Sequence, residues 1–270
     1  MPPFPLDYAA RGYAYLERPN RALLALFAAH RPAPRDRPLR VLDVGCGAGA
    51  NGRALREREP GLHLVGVEPD PVAARLAREV FDEVREARLE QALAQPMTGP
   101  FDVVILSDVL EHQVEPVRFL QALLAAPDCA ASLFLCSVPN YAVWYNRLGT
   151  LAGRFEYAWS GLHDRTHRRF FTARSLAQML AHVGLRTLGQ RVTPSLAQSF
   201  APLLRRRFEG AVERGDHLAL SHSPAYRAYE RWLEPLESSA CELWPSLLGF
   251  QLVVAATPGR RRASATSCPP

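Results

Sequence analysis

The chain has 270 residues, of which 48 % are hydrophobic, enough to bury the core of one large α/β domain or of a domain with an added subdomain. Arg260, Arg261 and Arg262 in a Pro- and Ser-containing tail supply three of the +5 formal charges, so the balance does not imply a nucleic-acid partner. All 32 basic residues are arginine, which excludes a lysine Schiff base and a lysine-bearing phosphate loop.

No apolar run approaches the roughly 18 residues of a membrane helix. Met1-Pro2-Pro3-Phe4-Pro5 lacks the charged and apolar regions of a signal peptide, so a cytoplasmic protein with no membrane partner is expected. The cysteines Cys46, Cys129, Cys136, Cys241 and Cys268 form no C-x-x-C pair and have no histidine at zinc-finger spacing; neither a disulfide framework nor a metal is expected.

In chain order, residues 1–38 read as an N-terminal helical cap: Tyr13 and Tyr15 precede a helix over 20–30 that anchors the cap or closes it over a ligand. Residues 39–192 read as a core in which strands at 40–44, 63–68, 83–86, 101–106, 132–138 and 185–192 alternate with helices. Asp70 and Pro71 open the helix predicted to reach Phe81, and Thr172 caps another to His182, before Gly184. The alternation stops after Val192, and 193–245 reads as an inserted helical lid carrying Phe200 and Tyr226. A last core strand at 249–256, within 246–257, precedes a disordered tail at 258–270. The fold class is therefore α/β: a doubly wound, mostly parallel, seven-stranded Rossmann-like sheet with an antiparallel last strand.

The first strand runs into Asp43-Val44-Gly45-Cys46-Gly47-Ala48-Gly49 and then into a helix over 51–58. Glycines let a backbone turn with positive φ and pass close to a ligand. Gly45-x-Gly47-x-x-Ala50 also satisfies a dinucleotide pattern, which leaves a nicotinamide oxidoreductase as an alternative. Asp43, two residues before the first glycine, would repel a phosphate and welcome an ammonium group, which favours S-adenosylmethionine (SAM). Glu68, 25 residues beyond Asp43 and followed by the turn residue Pro69, ends the second strand where a carboxylate can accept from vicinal ribose hydroxyls.

Residues 41–49 (VLDVGCGAG), Glu68, 101–112 (FDVVILSDVLEH), Ser137-Val138-Pro139-Asn140 and the closing strand together resemble the class I SAM-dependent methyltransferases, in particular the ubiquinone-biosynthesis-like group. The resemblance spans about 39–256. Residues 161–172 (GLHDRTHRRFFT) are similar to a stretch of bacterial methyltransferases associated with glycan or secondary-metabolite pathways. The resemblance implies that Asp43, Gly45, Gly47 and Gly49, with Cys46 among them, hold the methionine part of SAM, and that Glu68, with Pro69, holds the ribose. Leu89 or Glu90 would cover the adenine, with Arg88 where an acid is common, and Ser107 and Asp108 would line the cofactor.

Methyl transfer is an in-line displacement, so orientation dominates its catalysis. A hydroxyl acceptor must also lose a proton, which makes His163, Asp164 and His167 candidate acid–base residues, with His112 beside them. Each has a structural alternative: His112 as a loop-orienting residue, and Asp164 to His167 as a capped, hydrogen-bonded turn. Tyr141, Trp144, Tyr145, Phe155, Tyr157 and Trp159 suit either an acceptor pocket or the packing of a long loop on the sheet. The expected function is methylation of a small molecule, at a hydroxyl of a sugar-containing or secondary metabolite, leaving S-adenosylhomocysteine (SAH). An amine acceptor and a SAM-binding module without turnover are the alternatives, and monomer and homodimer both stay open.

Overall fold

The computed structural model describes residues 18–33, 36–94, 99–130, 132–158, 161–194, 224 and 228–259. Tyr13, Tyr15, Trp159, Phe200, Tyr226 and the tail from 260 lie outside them.

The elements run α1 (Arg21–His30), β1 (Arg40–Val44), α2 (Ala50–Arg58), β2 (His63–Val67), α3 (Pro71–Ala77), β3 (Glu83–Arg85), α4 (Leu89–Leu93) and β4 (Val103–Ser107). A single 3₁₀ turn, Leu110–His112, leads to α5 (Pro116–Ala125), β5 (Leu133–Pro139), α6 (Trp144–Leu151), α7 (Ala173–His182) and β6 (Leu185–Pro194). The chain continues through α8 (Glu234–Leu243), α9 (Pro245–Leu248) and β7 (Gly249–Pro258). The seven strands form one sheet in the order β3-β2-β1-β4-β5-β7-β6, with β7 antiparallel to both neighbours and the other pairings parallel. The chain winds outward from β1 in two directions, which opens a crevice at the carboxyl ends of β1 and β4.

Side chains alternate between the two faces of the sheet, as the two-residue period of a strand requires. Leu42, Val44, Val104 and Leu106 pack with Leu120 and Leu123 of α5 and Leu176 and Leu180 of α7. Val41, Val103 and Ile105 pack on the other face with Leu23 and Phe27 of α1 and Leu55 of α2. Local signals set the helix starts. Asn20 accepts from the Leu23 N–H, Asp70 from Val72 and Ala73, and Thr172 from Ser175.

Most element boundaries differ from the sequence reading by one or two residues, as in β4, expected at 101–106 and found at Val103–Ser107, and three differences change the packing or the extent of a segment. The helix expected to reach Phe81 ends at Ala77, and Phe81 instead turns inward under α2. Strand β6 continues through Thr193 and Pro194, the first residues of the expected lid, because both pair with β7. Strand β7 likewise includes Pro258, the first residue of the expected tail. Beyond Pro194, the described part of the expected lid is largely helical, in a π-helical segment at Tyr229–Leu233, in α8 and at the first residue of α9.

Phe81 explains two glycines outside the ligand loop. A Cβ at Gly52 of α2 would lie 2.5 Å from the Phe81 ring, and one at Gly66 of β2 would lie 2.7 Å from Cys46 Sγ and 3.3 Å from Phe81. Gly52→Ala is expected to cost about 1–3 kcal/mol through overpacking. Thermal unfolding reads this as a loss of roughly 2–4 °C per kcal/mol, and the smaller side chain of Phe81→Leu should recover part of the loss in the double variant.

Candidate active site

The loop after β1 is fixed from below by β2. The Gly45 N–H donates to the Val67 carbonyl at 2.7 Å and the Cys46 N–H to the same oxygen at 3.3 Å. Gly45, Gly47 and Gly49 take φ of +71°, +54° and +94°, left-handed conformations that explain the glycine spacing. A Cβ at Gly45 would meet Val109 Cγ2 at 3.0 Å, so the segment after β4 packs directly against the loop. Cys46 is buried against Gly66, and burial raises its thiol pKa, leaving its backbone as its contribution to the loop.

Glu68 joins this loop to the next one. Its Oε2 accepts from the Gly47 N–H and its Oε1 from the Asp70 N–H, both at 2.9 Å. Burial raises its pKa while the two N–H groups oppose the shift, and each oxygen keeps a lone pair for another donor. Pro69, between the two ends of this bridge, is exposed. Asp43 is 1 % exposed, and neither carboxylate oxygen has a hydrogen-bond partner among the described residues. Burial, with Glu68 as the second cause, raises its pKa to about 8. Such an unpaired buried carboxyl is costly unless a ligand completes it, and a cationic ammonium is the complementary group. Leu89 is buried in the core and Glu90 is exposed at the start of α4.

Ser107 and Asp108 end β4 at the crevice. Asp108 has φ +56°, and its N–H donates to the Ser137 carbonyl and hydroxyl, each at 3.1 Å. Its Oδ1 accepts from the Ser137 hydroxyl at 3.1 Å and its Oδ2 from Gln251 Nε2 at 2.6 Å. Ser107 Oγ lies 3.2 Å from Ser137 Oγ. Burial lifts the Asp108 pKa to about 6 against these hydrogen bonds.

Three residues further on, the Glu111 carbonyl accepts from the N–H groups of Arg168 and Arg169, at 2.7 and 3.0 Å. These two bonds bring the 161–172 segment onto the 3₁₀ turn, where the His112 and His167 rings meet edge-on, 4.9 Å apart. His167 Nδ1 lies 3.0 Å from the Leu162 carbonyl, which can only accept, so Nδ1 carries the proton and Nε2 a free lone pair. Thr166 gives its hydroxyl hydrogen to Asp164 Oδ1 at 2.7 Å, so its oxygen accepts from His112 Nδ1 at 3.2 Å, and His112 also presents an unprotonated Nε2. Burial lowers the pKa of both rings, that of His112 to about 4. Glu111 is 1 % exposed with both oxygens unpartnered among the described residues, and burial followed by the Asp108 charge raises its pKa strongly.

Glu111, His112 and His167 each bring one ligand atom within 4.8 Å of the others, a group that can hold a metal ion. Short Cys/His spacings, the signal by which metal ligands are found in a sequence, do not reveal this group, because His167 lies more than fifty residues beyond the adjacent Glu111 and His112. Asp164 is buried, and its Oδ1 also accepts from the Thr166 N–H at 2.8 Å. It therefore clips the turn and reaches His112 through Thr166. His163 sits among rings, 4.7 Å from Phe155 and 6.0 Å from Tyr141, with its Nε2 buried and unpartnered among the described residues and its pKa lowered by burial. Asn140, whose amide donates to the Ser246 and Gly249 carbonyls, fastens the end of β5 to the start of β7.

A methyltransferase-domain family profile matches residues 13–190, more than half of the chain. The chain belongs to the SAM-dependent methyltransferase family. This methyltransferase is 28 % identical over 146 residues to a ubiquinone biosynthesis O-methyltransferase of Idiomarina loihiensis, covering 52 % of the chain and 58 % of the relative. It is 32 % identical over 136 residues to the protein of that name in Caulobacter sp. (strain K31), covering 47 % and 52 %. The chain thus spans little more than half of these relatives. Among solved structures, a SAM-dependent methyltransferase from Archaeoglobus fulgidus superposes with a TM-score of 0.52 at 19 % identity, covering 93 % of this chain and 97 % of that one. Magnesium protoporphyrin IX methyltransferase from Synechocystis, solved with SAH, gives a TM-score of 0.50 at 15 % identity, covering 92 % and 84 %. At such identities these two show a shared fold. SAM is the cofactor of the family.

A ligand ammonium paired with the buried Asp43 carboxyl would give binding a pH dependence. The ligand-free protein keeps this proton up to about pH 8, whereas the unfolded chain releases it near pH 4, so ligand-free stability falls as pH rises between those values. An ammonium ligand favours the carboxylate. SAH affinity measured by calorimetry is therefore expected to rise toward pH 8, by up to about tenfold per pH unit, and Asp43→Asn should flatten that rise. A flat wild-type profile would show that the ligand ammonium does not pair with Asp43.

Proposed function

We propose that the chain transfers the SAM methyl group to a hydroxyl of a small molecule, a sugar-containing or secondary metabolite. The observation that carries this reading is the placement of His167 Nε2, an unprotonated nitrogen in the acceptor-side cluster beyond Asp108. Asp43 and the glycine loop hold the methionine end of SAM, Glu68 the ribose and Leu89 the adenine face, while Ser107 and Asp108 border the sulfonium. The acceptor oxygen attacks the methyl carbon as the carbon–sulfur bond breaks; its electrons return to sulfur, giving neutral SAH, and the hydroxyl proton passes to His167 Nε2. His163 and the rings of Tyr141, Phe155 and Phe170 line the approach. The relatives named as O-methyltransferases support a hydroxyl acceptor, and residues 161–172 support the metabolite class. The 193–245 segment selects the acceptor in this reading, and the protein acts in the cytoplasm; no described helix is long and apolar enough to cross a membrane.

A second reading comes from the unpartnered Glu111 oxygens. Glu111, His112 and His167 would hold a divalent cation, a ligand set fitted by one buried carboxylate and two neutral imidazoles. Bound there, such an ion lowers the pKa of a coordinated hydroxyl.

Incubation with SAM carrying a labelled methyl group and a metabolite extract tests the function directly. Label in a product of unchanged nitrogen basicity is expected; label on an amine nitrogen moves the amine acceptor first, and SAH binding without transfer identifies a binding module. His167→Ala is expected to lower kcat by roughly two to four powers of ten, with SAM affinity near wild type and partial recovery at high pH. Loss of wild-type activity on chelation, restored by Mn²⁺ or Zn²⁺, would give His167 to the cation instead.

A further inference from the structure

We propose that Gln251 of β7 is a positioning residue for Asp108, and that through Asn20 it joins the acceptor side of the crevice to the cofactor helix α2. The inference rests on the methyl-transfer reading for its catalytic consequence. The geometry is independent of it.

The amide orientation of Gln251 follows from its neighbours. Thr193 Oγ1 accepts from the Gln251 N–H at 3.1 Å, so its single hydrogen is free to point at Gln251 Oε1, 3.2 Å away. Asn20 Nδ2 donates to the same oxygen at 3.5 Å. Oε1 is therefore the end that faces donors, and Nε2 is the end that faces Asp108 Oδ2 at 2.6 Å. A flipped amide would set two oxygens at that separation and turn an NH₂ group toward two donors. Asp108 occupies a left-handed φ of +56°, a strained conformation for a residue with a Cβ, and Ser137 and Gln251 hold one carboxylate oxygen each.

The chain of contacts continues to the cofactor side. Asn20 caps α1 through its Oδ1 on the Leu23 N–H, and its own N–H donates to Asn51 Oδ1 at 2.8 Å. Asn51 is the second residue of α2, directly after the glycine loop. One run of hydrogen bonds, Asn51 to Asn20 to Gln251 to Asp108, thus connects the helix behind the methionine site with the carboxylate on the sulfonium side. No residue in this run other than Asp108 is charged. The other buried acid that senses Asp108 is Glu111.

Four variants test the assignment: Gln251→Leu, Gln251→Glu, Asp108→Asn, and the reversed pair Asp108→Asn/Gln251→Glu, in which the amide introduced on β4 can donate to the carboxylate introduced on β7. Each single variant is expected to lower kcat by about ten- to a hundredfold, as misplacement or loss of an orienting group does, with a smaller change in the KM for SAM. The reversed pair should regain the melting temperature and SAH affinity of wild type while kcat stays low. A Gln251→Leu variant with wild-type kcat, or a reversed pair with full kcat, would overturn the proposal. A readout without turnover separates this from a failure of the functional reading: the Asp108 carboxyl, followed by carbon NMR, should titrate at a higher pH in Gln251→Leu than in wild type. An unchanged midpoint overturns the proposal even if no acceptor is ever methylated.

Discussion

The arrangement of the crevice depends on the Glu68 carboxylate, which receives one backbone N–H from the glycine loop and one from the start of α3. Two loops that leave adjacent strands are held at a fixed separation by a single buried group. Both bonds use backbone donors, so the side chains around the loop are free to be small, and Gly45, Gly47 and Gly49 take the positive φ that places the Gly47 N–H over Glu68. Beneath the loop, the Phe81 ring and Cys46 fill the space left by Gly52 and Gly66. The loop is therefore clamped from two directions, and a ligand meets a surface that has little left to reorganise.

Charge is divided between the two ends of the sheet. At the amino-terminal edge, Asp102 before β4 pairs with Arg37 at 2.7 Å, and Asp82 before β3 pairs with Arg56 at 2.7 Å. At the carboxyl-terminal edge, Glu68 and Asp108 are satisfied by neutral donors, and Asp43 and Glu111 have no hydrogen-bond partner among the described residues. Arginine on these acids would neutralise the edge. Leaving them to amides and hydroxyls keeps a field that favours cations, and SAM carries two cationic centres, an ammonium and a sulfonium. The cost is borne by the ligand-free protein, in which burial pushes these carboxyls toward their neutral forms.

The parts of this design that were legible in the sequence are those written over short spans. The glycine loop, its preceding Asp43, the cap at Asp70 and the strand alternation each declare themselves within about ten residues, because the backbone conformation they require selects particular residue types. The end of α3 did not, since Ala77 to Phe81 continues a helical pattern and only the glycine-lined space under α2 draws Phe81 inward. The meeting of His112 with His167 was equally hidden: it depends on two backbone N–H groups reaching the Glu111 carbonyl across more than fifty residues. Gln251 lies within the strand predicted at 249–256, and only the antiparallel entry of β7 beside β5 brings it to Asp108.

The same distinction separates the two walls of the crevice. The wall built by β1, β2 and α2 is short-range and glycine-set. The wall built by the 3₁₀ turn, the segment before α7 and the ring cluster of Tyr141, Phe155, His163 and Phe170 is assembled from distant pieces, joined by backbone hydrogen bonds that do not depend on side-chain identity. Arg168 and Arg169 reach Glu111 through their N–H groups, and Asp164 closes its own turn, so these backbone joins do not rest on the ring side chains. In the proposed reading, a fixed cofactor wall opposite a backbone-supported acceptor wall would let one fold carry the same displacement to chemically different acceptors. It also explains why residue types alone read the cofactor from this chain more sharply than the acceptor.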